Sequence, residues 1–396
     1  MNIAVIGTGT AGVMSLSHLL AWLPETCKIT SIYNPKIPML GIGESTSTSI
    51  PKTLYYGTGF NLLTEPEKLD ATVKHGVKYS NWREQTVYTT LPPPNYAMHF
   101  NNFKLREVSF DAFTKLWGNK FEELTGEITL FEDKGDYVQI DVDNVQYTFD
   151  YVIDCRGFPK SYEKYDMVDT IPVNHCIVHG VNEPGDWNYT HHHAHPNGWM
   201  FGIPLQTRQG WGYLYNDNIT TKDQAIENLK SIKNGVDADK LREFTFKSYK
   251  AKKFIDGRII NNGNRALFYE PIEALSGWFY DQVLRSFFDV IITQTLTEEV
   301  ANNSLSLLAE DYELFICFMY HGGSTYDSDF WKITAEKCSK RLNESARFAE
   351  HVRKLSSLPS ELIHNDIVRP IPSNVWLHLD KEFGYNYFRR ENESRI

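Results

Sequence analysis

The chain has 396 residues, of which 41% are hydrophobic and 23% charged, and these fractions are ordinary for a globular protein. The net charge of −10 argues against a nucleic-acid partner, because phosphate backbones are bound by clustered Lys and Arg side chains. Its cysteines stand apart without a CxxC pair, so neither zinc nor a disulfide framework is indicated. Since no apolar run is long enough to span a membrane and no basic leader is present, we expect a cytoplasmic protein with reduced thiols.

The N-terminal part of the chain predicts a strand, a glycine loop, a helix and a second strand. The apolar run 2–6 is typical of a buried parallel strand, and the loop 7–12 (GTGTAG) follows it. Apolar residues at helical spacing predict a helix over 13–23, and a second strand covers 28–33. Residues 34–60 are rich in Pro, Gly, Ser and Thr, which predicts a long functional loop.

The rest of the chain is first β-rich and then helical. In chain order, the patterns predict regular structure over 70–82, short strands over 125–154 and 171–216, and helices after 272. The predicted fold class is α/β, with a Rossmann-type dinucleotide-binding module, an interleaved β-rich substrate region and a helical C-terminal region. We predict a first module over 1–290, which binds the cofactor, and a helical substrate lid over 291–396.

The loop 7–12 has the GxGxxG spacing of dinucleotide-binding proteins. Gly7 would form the tight turn, Gly9 would let the backbone approach a pyrophosphate, and Gly12 would let the helix pack close to the sheet. Free N–H groups at the helix N-terminus, at Thr10 and Ala11, would face the phosphates. Because the motif directly follows a predicted strand, we interpret it as a cofactor site rather than a plain turn.

The end of the second predicted strand lacks the usual acidic residue. Tyr33 and Asn34 stand where a carboxylate ordinarily binds the ribose hydroxyls of the cofactor. Asn34 can still accept a hydrogen bond, but the charge-assisted bond is lost. We therefore expect the cofactor to be bound weakly or lost easily.

Several segments, in the same order along the chain, resemble the flavin-dependent halogenases of the tryptophan-halogenase type. Besides the loop 7–12, the segments are 41–46 (GIGEST), similar to GxGEAT; 73–82 (VKHGVKYSNW), similar to FKxxxKFxNW; 153–158 (IDCRGF), similar to IDCSGF; 198–205 (GWMFGIPL), similar to GWxWxIPL; 270–273 (EPIE), similar to DPLE; and 329–331 (DFW), similar to DxxFW. The chain is identified as a distant and short member of this family, with a viral source as a hypothesis.

The resemblance implies a reaction and its partners. FAD, as FADH2, would act with O2 and a halide (chloride, bromide or iodide) to make hypohalous acid. A separate flavin reductase would supply FADH2, since no NAD(P)H site is evident in the sequence. The hypohalous acid would pass through an internal tunnel to a lysine and halogenate a small, electron-rich aromatic substrate.

Two residues fall on the family's catalytic positions, Lys74 and Glu273. Lysine is a proton donor, and a nucleophile when desolvated, so Lys74 would hold the hypohalous acid either as a haloamine or by a hydrogen bond. Glu273 would accept the proton of the arenium intermediate or orient the acid. Without the resemblance, Lys74 would be interpreted as a solvated residue and Glu273 as an ordinary carboxylate near a helix start.

The family's STGI segment, whose backbone amides hold the halide, is replaced by 274–277 (ALSG). A direct alignment places these amides at Leu275 and Ser276, and a slip of one residue places them at Ser276 and Gly277. Because backbone N–H groups bind the ion, this role tolerates a change of side chain.

Two further groups of residues have implied roles. The resemblance implies that the segment 42–45 contacts the cofactor. It also implies that four residues of the segment 198–205 lie beside the tunnel, although the same residues fit a strand with buried aromatic side chains equally well. The residues are Ile42, Gly43, Glu44 and Ser45 for the cofactor, and Trp199, Phe201, Ile203 and Pro204 for the tunnel.

The run 191–195 (HHHAH) is the one segment that suggests a metal. Histidine-rich tracts bind metals, but no Cys or carboxylate has fitting spacing here. We interpret the run as a polar loop before Gly198 and expect no metal.

Two other functions fit part of the sequence. A flavin hydroxylase would share the fold, but its usual DG motif occurs here only at Asp256-Gly257, too late in the chain. A non-catalytic flavin-binding protein would explain Asn34 and the altered segment 274–277, but not the presence of both Lys74 and Glu273.

Overall fold

The structure is a computed structural model that describes residues 1–38, 41, 44–91, 95–232, 241–358 and 371–388. The strands are β1 (Asn2–Ile6), β2 (Lys28–Tyr33), β3 (Glu44–Ser45), β4 (Thr72–Lys74), β5 (Gly76–Ser80), β6 (Val87–Thr90), β7 (Ala97–Phe100), β8 (Phe121–Thr125), β9 (Ile128–Asp133), β10 (Val138–Val142), β11 (Val145–Phe149), β12 (Tyr151–Asp154), β13 (Tyr165–Met167), β14 (His175–Val181), β15 (Tyr189–His195), β16 (Gly198–Pro204), β17 (Gln209–Tyr215), β18 (Arg242–Thr245), β19 (Tyr249–Ala251), β20 (Ile255–Asp256), β21 (Ile259–Asn261) and β22 (Leu267–Phe268). The helices are α1 (Thr10–Trp22), α2 (Ser49–Thr58), α3 (Asn102–Trp117), α4 (Lys222–Ile232), α5 (Ser276–Phe287), α6 (Glu298–Tyr320), α7 (Asp329–Glu344), α8 (Ala346–Ser356) and α9 (Ser373–Glu382).

The N-terminal sheet has the strand order β20-β21-β12-β1-β2-β8, with β1 parallel to both of its neighbours. Strand β1 is buried on both faces, since Ile3 and Val5 pack into the main core and Ala4 and Ile6 into a second cluster. Burial on both faces explains why its sequence is a continuous apolar run. The predicted strand, loop, helix and strand are confirmed, and so is the Rossmann-type module of the predicted α/β fold.

Two other sheets position the candidate site. The larger has the strand order β18-β14-β17-β16-β15-β5-β6 over the described residues, and the smaller has the order β3-β7-β4. Strands β4 and β5 are consecutive in the chain but belong to different sheets, and the chain passes between them at His75 and Gly76. Gly76 is required there, because a Cβ at this position would lie 1.8 Å from the carbonyl oxygen of Thr89.

The prediction of a loop throughout 34–60 is wrong, since α2 occupies Ser49–Thr58. Its buried residues Ile50, Leu54 and Gly57 follow the i, i+4, i+7 spacing of a helix face, which the surrounding polar residues obscure in the sequence. A Cβ at Gly57 would lie 2.4 Å from the Cβ of Ser17 in α1, so glycine allows the two helices to pack closely. Tertiary packing thus stabilises a helix whose composition suggests a loop.

The prediction of a polar loop at 191–195 is also wrong, since these residues belong to the regular strand β15. The side chain of His192 faces the main core, with its ring centroid 4.7 Å from that of Trp199. His191 and His193 lie on the opposite face beside Trp211. Successive side chains of β15 point to opposite faces of the sheet, and imidazole rings pack on both faces.

Helices follow the last strand, as predicted, and they close over the sheets. One hydrophobic cluster extends from Ile3 to Phe388 and includes the buried faces of α5 and α6. Asp311 of α6 is buried, and it binds Arg347 and His351 of α8 at 2.6 and 2.7 Å.

The division into modules 1–290 and 291–396 stays a prediction. Among the described helices, none combines the length and the apolar character needed to cross a membrane.

Candidate functional site

The glycine loop 7–12 leaves room for a cofactor at one position and none at the others. Gly7 has φ of +99°, and a Cβ there would lie 2.6 Å from the carbonyl oxygen of Cys155. A Cβ at Gly12 would lie 1.9 Å from the carbonyl oxygen of Gly7. Among the described residues, no atom lies within 4 Å of a Cβ built at Gly9. Gly7 and Gly12 are therefore fixed by packing, whereas Gly9 borders open space.

The start of α1 fits the phosphates of a dinucleotide. Gly9 is the N-cap residue and supplies no side-chain acceptor for the first-turn amides, which include those of Thr10 and Ala11. Such amides are hydrogen-bond donors that bind phosphate oxygens. The side chain of Thr10 is turned away and donates to Asn102 of α3 at 3.1 Å. The donor set and the space beside Gly9 together fit a pyrophosphate.

The end of β2 holds its side chains in other contacts. Asn34 Oδ1 accepts a hydrogen bond from the amide of Lys36 at 2.9 Å, so it closes a local turn. The hydroxyl of Tyr33 donates to Glu123 at 3.0 Å, and the guanidinium of Arg106 lies 4.3 Å from the centre of the Tyr33 ring. These contacts support the expectation of weak ribose binding, which stays a prediction.

The small sheet joins the segment 44–46 to Lys74. Strand β7 pairs with β3 on one side and with β4 on the other, in the register Ser45 to His99 and Lys74 to Ala97. The ammonium of Lys74 donates to the carbonyl oxygen of Thr46 at 3.1 Å. The predicted cofactor residues Ile42 and Gly43 lie outside the described residues.

A buried hydrogen-bond chain extends from the small sheet to β15 and β16. The hydroxyl of Thr72 donates to the carbonyl oxygen of Pro204 at 2.8 Å, so it must accept from Nδ1 of His99. Nε2 of His99 is then the acceptor for the hydroxyl of Thr190 at 2.9 Å, and Thr190 accepts from Ser45. Burial and the charge of Lys74 hold the pKa of His99 well below its usual value, which agrees with this neutral tautomer.

Burial shifts the ionisation of two predicted site residues, Glu44 and Lys74. Desolvation raises the pKa of Glu44 to about 7, against the opposing charge of Arg208. The side chain of Lys74 is buried, and desolvation lowers its pKa to about 8, although the charge of Glu273 acts in the opposite direction. Desolvation therefore favours the neutral form of both groups.

Glu273 lies in a strained turn that ends at α5. It has φ of +58°, and the next residue, Ala274, has φ of +54°, although neither is glycine. Its Oε1 accepts hydrogen bonds from the hydroxyl of Tyr79 and, at 3.2 Å, from that of Thr89. Desolvation raises the pKa of Glu273, while Lys74 and the two hydroxyls lower it. The structure thus brings the buried Lys74 and the half-buried Glu273 close enough for each charge to affect the pKa of the other.

The predicted halide residues lie directly after Glu273. Leu275 is the N-cap of α5, and no side chain caps this helix. Ser276 begins the helix, and its hydroxyl interacts with Tyr280 and Tyr312. A Cβ at Gly277 would lie 2.8 Å from the side chain of Ile50, so this residue is limited by packing. The first-turn amides are the groups that could bind an anion.

The predicted tunnel residues alternate along β16. Trp199, Phe201 and Ile203 are buried in the main core, and they lie on the same face as Tyr79 and His192. Pro204, at the end of the strand, accepts the hydrogen bond from Thr72. Trp199, Phe201 and Ile203 thus form one apolar face of β16.

Several residues of the site were missed by the sequence analysis. They are Thr46, Tyr79 and Thr89, which contact Lys74 or Glu273, and Glu270, whose pKa is raised to about 8 by burial. Glu270 accepts a hydrogen bond from Tyr320 at 2.8 Å. Thr46, Tyr79 and Glu270 stand within the family motifs, and Tyr79 replaces the Phe of the FKxxxKFxNW pattern with a residue that carries a hydroxyl, whereas Thr89 had no signal in the sequence.

Comparisons with known proteins give one consistent family. The family model of tryptophan halogenase matches residues 2–129 and 95–367. The tryptophan 7-halogenase of Lentzea aerocolonigenes is 23% identical over 85% of this chain and 79% of its own length. Two solved structures share the fold: a tryptophan halogenase of Shewanella frigidimarina (TM-score 0.81, 18% identity, 100% and 90% of the two chains) and a flavin-dependent halogenase of Xanthomonas campestris (TM-score 0.80, 17% identity, 98% and 89%).

Substitution of Gly9 should separate cofactor binding from folding. Because Gly9 has φ of −71° and borders open space, Gly9→Val should fold normally but occupy the room for the pyrophosphate. We expect its thermal midpoint to stay close to that of the unchanged protein, and its affinity for FAD, measured by fluorescence titration, to fall roughly tenfold or more.

The control is Gly12→Ala, whose Cβ meets the backbone of Gly7. This variant should lose stability, by roughly 1–3 kcal/mol or more. Unchanged FAD affinity in Gly9→Val would contradict the assignment of this loop.

Proposed function

The chain belongs to the tryptophan halogenase family, whose members are flavin-dependent oxidoreductases, and we propose that it halogenates an electron-rich aromatic substrate at Lys74 and Glu273. The observation that carries the proposal is that the buried ammonium of Lys74 and the half-buried carboxylate of Glu273 lie close enough for each charge to oppose the effect of desolvation on the other. Removing charged groups from water is unfavourable unless partners compensate them, and groups with shifted pKa values are frequent at sites of acid–base chemistry.

We propose FAD as the cofactor, held at the loop 7–12 and along the segment 44–45. The first-turn amides of α1 would bind the pyrophosphate, and the space beside Gly9 would admit it. When bound in its reduced form, FAD would supply the two electrons with which O2 and halide become hypohalous acid and water. A separate flavin reductase would provide that reduced form.

Lys74 and Glu273 would complete the substitution at the ring. The ring carbon takes the halogen from hypohalous acid, and the released hydroxide takes a proton from the ammonium of Lys74 to give water. The C–H bond then breaks, and its proton passes to the carboxylate of Glu273. Transfer of that proton back to Lys74 restores both groups, so hypohalous acid and the arene yield the haloarene and water.

The elements around this pair would supply the halide and guide the acid. The uncapped first-turn amides of α5, at Leu275 and Ser276, are suited to bind halide. The apolar face of β16, formed by Trp199, Phe201 and Ile203, would keep an organic substrate away from the flavin while a small neutral acid passes.

Removal of the Lys74 side chain tests the proposal directly. In an assay with a flavin reductase, NADH, FAD, halide and a panel of phenols and indoles, we expect halogenated product from the unchanged protein. Lys74→Ala should lower product formation at least roughly 100-fold, because the proton donor is lost. Hypohalous acid should still be released and be detected with a thiol trap.

The matched control is Lys78→Ala. Lys78 belongs to the same segment 73–82, but its side chain lies on the face of β5 opposite to that of Tyr79. Its ammonium is 6.0 Å from the centre of the Tyr88 ring. This variant should keep its activity. Halogenation by Lys74→Ala at the normal rate, or hydroxylated product without halide from the unchanged protein, would refute the proposal.

Glu273→Gln tests the base. The amide keeps the shape of the side chain but cannot take up the ring proton, so product formation should fall roughly 100-fold. Consumption of reduced FAD should continue at the normal rate, as measured by its absorbance. An unchanged product rate would remove Glu273 from the mechanism.

The pH dependence tests the charge state of Lys74. Its pKa is about 8, so the ammonium donor is present below that pH and lost above it. With an indole that does not titrate in this range, we expect the halogenation rate to fall as the pH rises through about 8. Any residual activity of Lys74→Arg should lack this descending limb, because arginine keeps its charge. A rate that rises through the same range would instead indicate the neutral amine and a haloamine.

A further inference from the structure

We propose that Tyr79 is a positioning residue that keeps Glu273 ionised and oriented by a hydrogen bond from its hydroxyl to Oε1. The inference rests on the proposed role of Glu273 as the base. It concerns the phenol hydroxyl of Tyr79, which the FKxxxKFxNW pattern lacks because the pattern has Phe at the position of Tyr79. A phenylalanine there could fill the same space but could not donate.

The ring of Tyr79 is fixed before any substrate binds. It is fully buried, and it makes edge contacts with three rings, those of Trp82, His192 and Phe383, at centroid distances of 5.9, 5.2 and 5.7 Å. Contacts of this kind leave the ring a single position. The hydroxyl therefore points at Glu273 without the entropy loss of ordering a mobile side chain.

Tyr79 and Lys74 act on the same carboxylate from different sheets, Tyr79 by a hydrogen bond and Lys74 by its charge alone. Lys74 ends β4 of the small sheet, whereas Tyr79 lies in β5 of the large one. The change of sheet occurs at Gly76, where close contact with the backbone at Thr89 excludes any side chain. Thr89 of β6 then supplies the second donor to Oε1. A short stretch of chain thus provides an ammonium and a phenol for Glu273.

The two donors both bind one oxygen of the Glu273 carboxylate and leave the other oxygen available. Both Tyr79 and Thr89 reach Oε1, and among the described residues no hydrogen bond reaches Oε2. Oε2 is then the atom that can accept the ring proton, while Oε1 fixes the plane of the carboxylate. A base must be held within hydrogen-bond reach of the proton that it removes, so this division is what the chemistry requires.

The electrostatic balance explains why a donor is needed here. Desolvation is the largest influence on Glu273, and it raises the pKa toward a neutral acid that could not act as a base. The titratable groups that face it are Lys74 from β4, Tyr79 from β5 and Tyr312 from α6. The pKa of His192, beside Tyr79, is held well below its usual value by burial, so this histidine adds no charge.

Tyr79 can act only as a donor in this site. Its own pKa is raised well above its ordinary value by burial and by the charge of Glu273. The phenol therefore keeps its proton over the pH range of the reaction. Loss of a hydrogen bond to a charged group is worth roughly one to two pKa units of the acceptor.

The test is Tyr79→Phe, which removes the hydroxyl and keeps the ring contacts. We expect kcat at neutral pH to fall roughly tenfold with little change in KM, and the acid limb of the pH profile to move up by roughly one unit. Raising the pH should recover most of the lost rate. The matched control is Tyr213→Phe, a buried tyrosine on the other face of the same sheet, whose hydroxyl contacts Asn228 instead.

A second readout does not depend on halogenation. An infrared titration follows the protonated carboxyl band that is absent from Glu273→Gln, and its midpoint should rise in Tyr79→Phe but not in Tyr213→Phe. Thr89→Val should raise the midpoint less, because its bond to Oε1 is long at 3.2 Å, and it serves if Tyr79→Phe fails to fold.

The outcomes separate the two proposals. Equal midpoints in the unchanged protein and in Tyr79→Phe would overturn the role of Tyr79. Where only Thr89→Val folds, an equal midpoint in that variant would overturn the role of hydrogen bonds to Oε1 on which the proposal for Tyr79 depends. A shifted midpoint in a protein that halogenates nothing would support the bond to Glu273 and refute the proposed function instead.

Discussion

The withdrawal of Lys74 almost fully, and of Glu273 in part, from water is the constraint on which the rest of the structure depends. Each charge loses hydration, and mutual attraction alone seldom offsets that loss. The fold compensates with specific partners: the carbonyl oxygen of Thr46 for Lys74, and the hydroxyls of Tyr79 and Thr89 for Glu273. These partners come from separate strands, so the site exists only when both sheets and the start of α5 are assembled.

The small sheet β3-β7-β4 connects the two halves of the molecule. It holds the segment 44–46, beside the predicted cofactor site, in the same hydrogen-bonded unit as Lys74. The neutral His99 extends this unit to Thr190 and Pro204 of the large sheet. The carbonyl oxygen of Thr46 thus joins Lys74 directly to the segment 44–46.

The C-terminal part of the chain closes the site from the outside. Phe383, just beyond α9, packs against the ring of Tyr79, and Arg83 binds the carbonyl oxygen of Phe383 at 3.0 Å. The guanidinium of Arg83 also lies 4.7 Å from the centre of the Tyr385 ring. Residues after 367, which the family model does not match, thus contact a residue that holds Glu273.

The sequence by itself determined the features that depend on local order. The apolar run 2–6 and the loop 7–12 predicted the N-terminal module, because strand burial and tight turns leave strong short-range patterns. Lys74 and Glu273 were found only through family motifs, since an isolated Lys or Glu carries no signal of burial. The predictions from sequence were wrong where contacts with distant parts of the chain determine the structure. Helix α2 forms where Gly57 lets it pack on α1, and 191–195 is a strand whose two faces are both packed against other residues. The partners of the charged pair were likewise set by tertiary structure, because Tyr79 and Glu273 are far apart in the chain and meet only where β5 and the start of α5 converge.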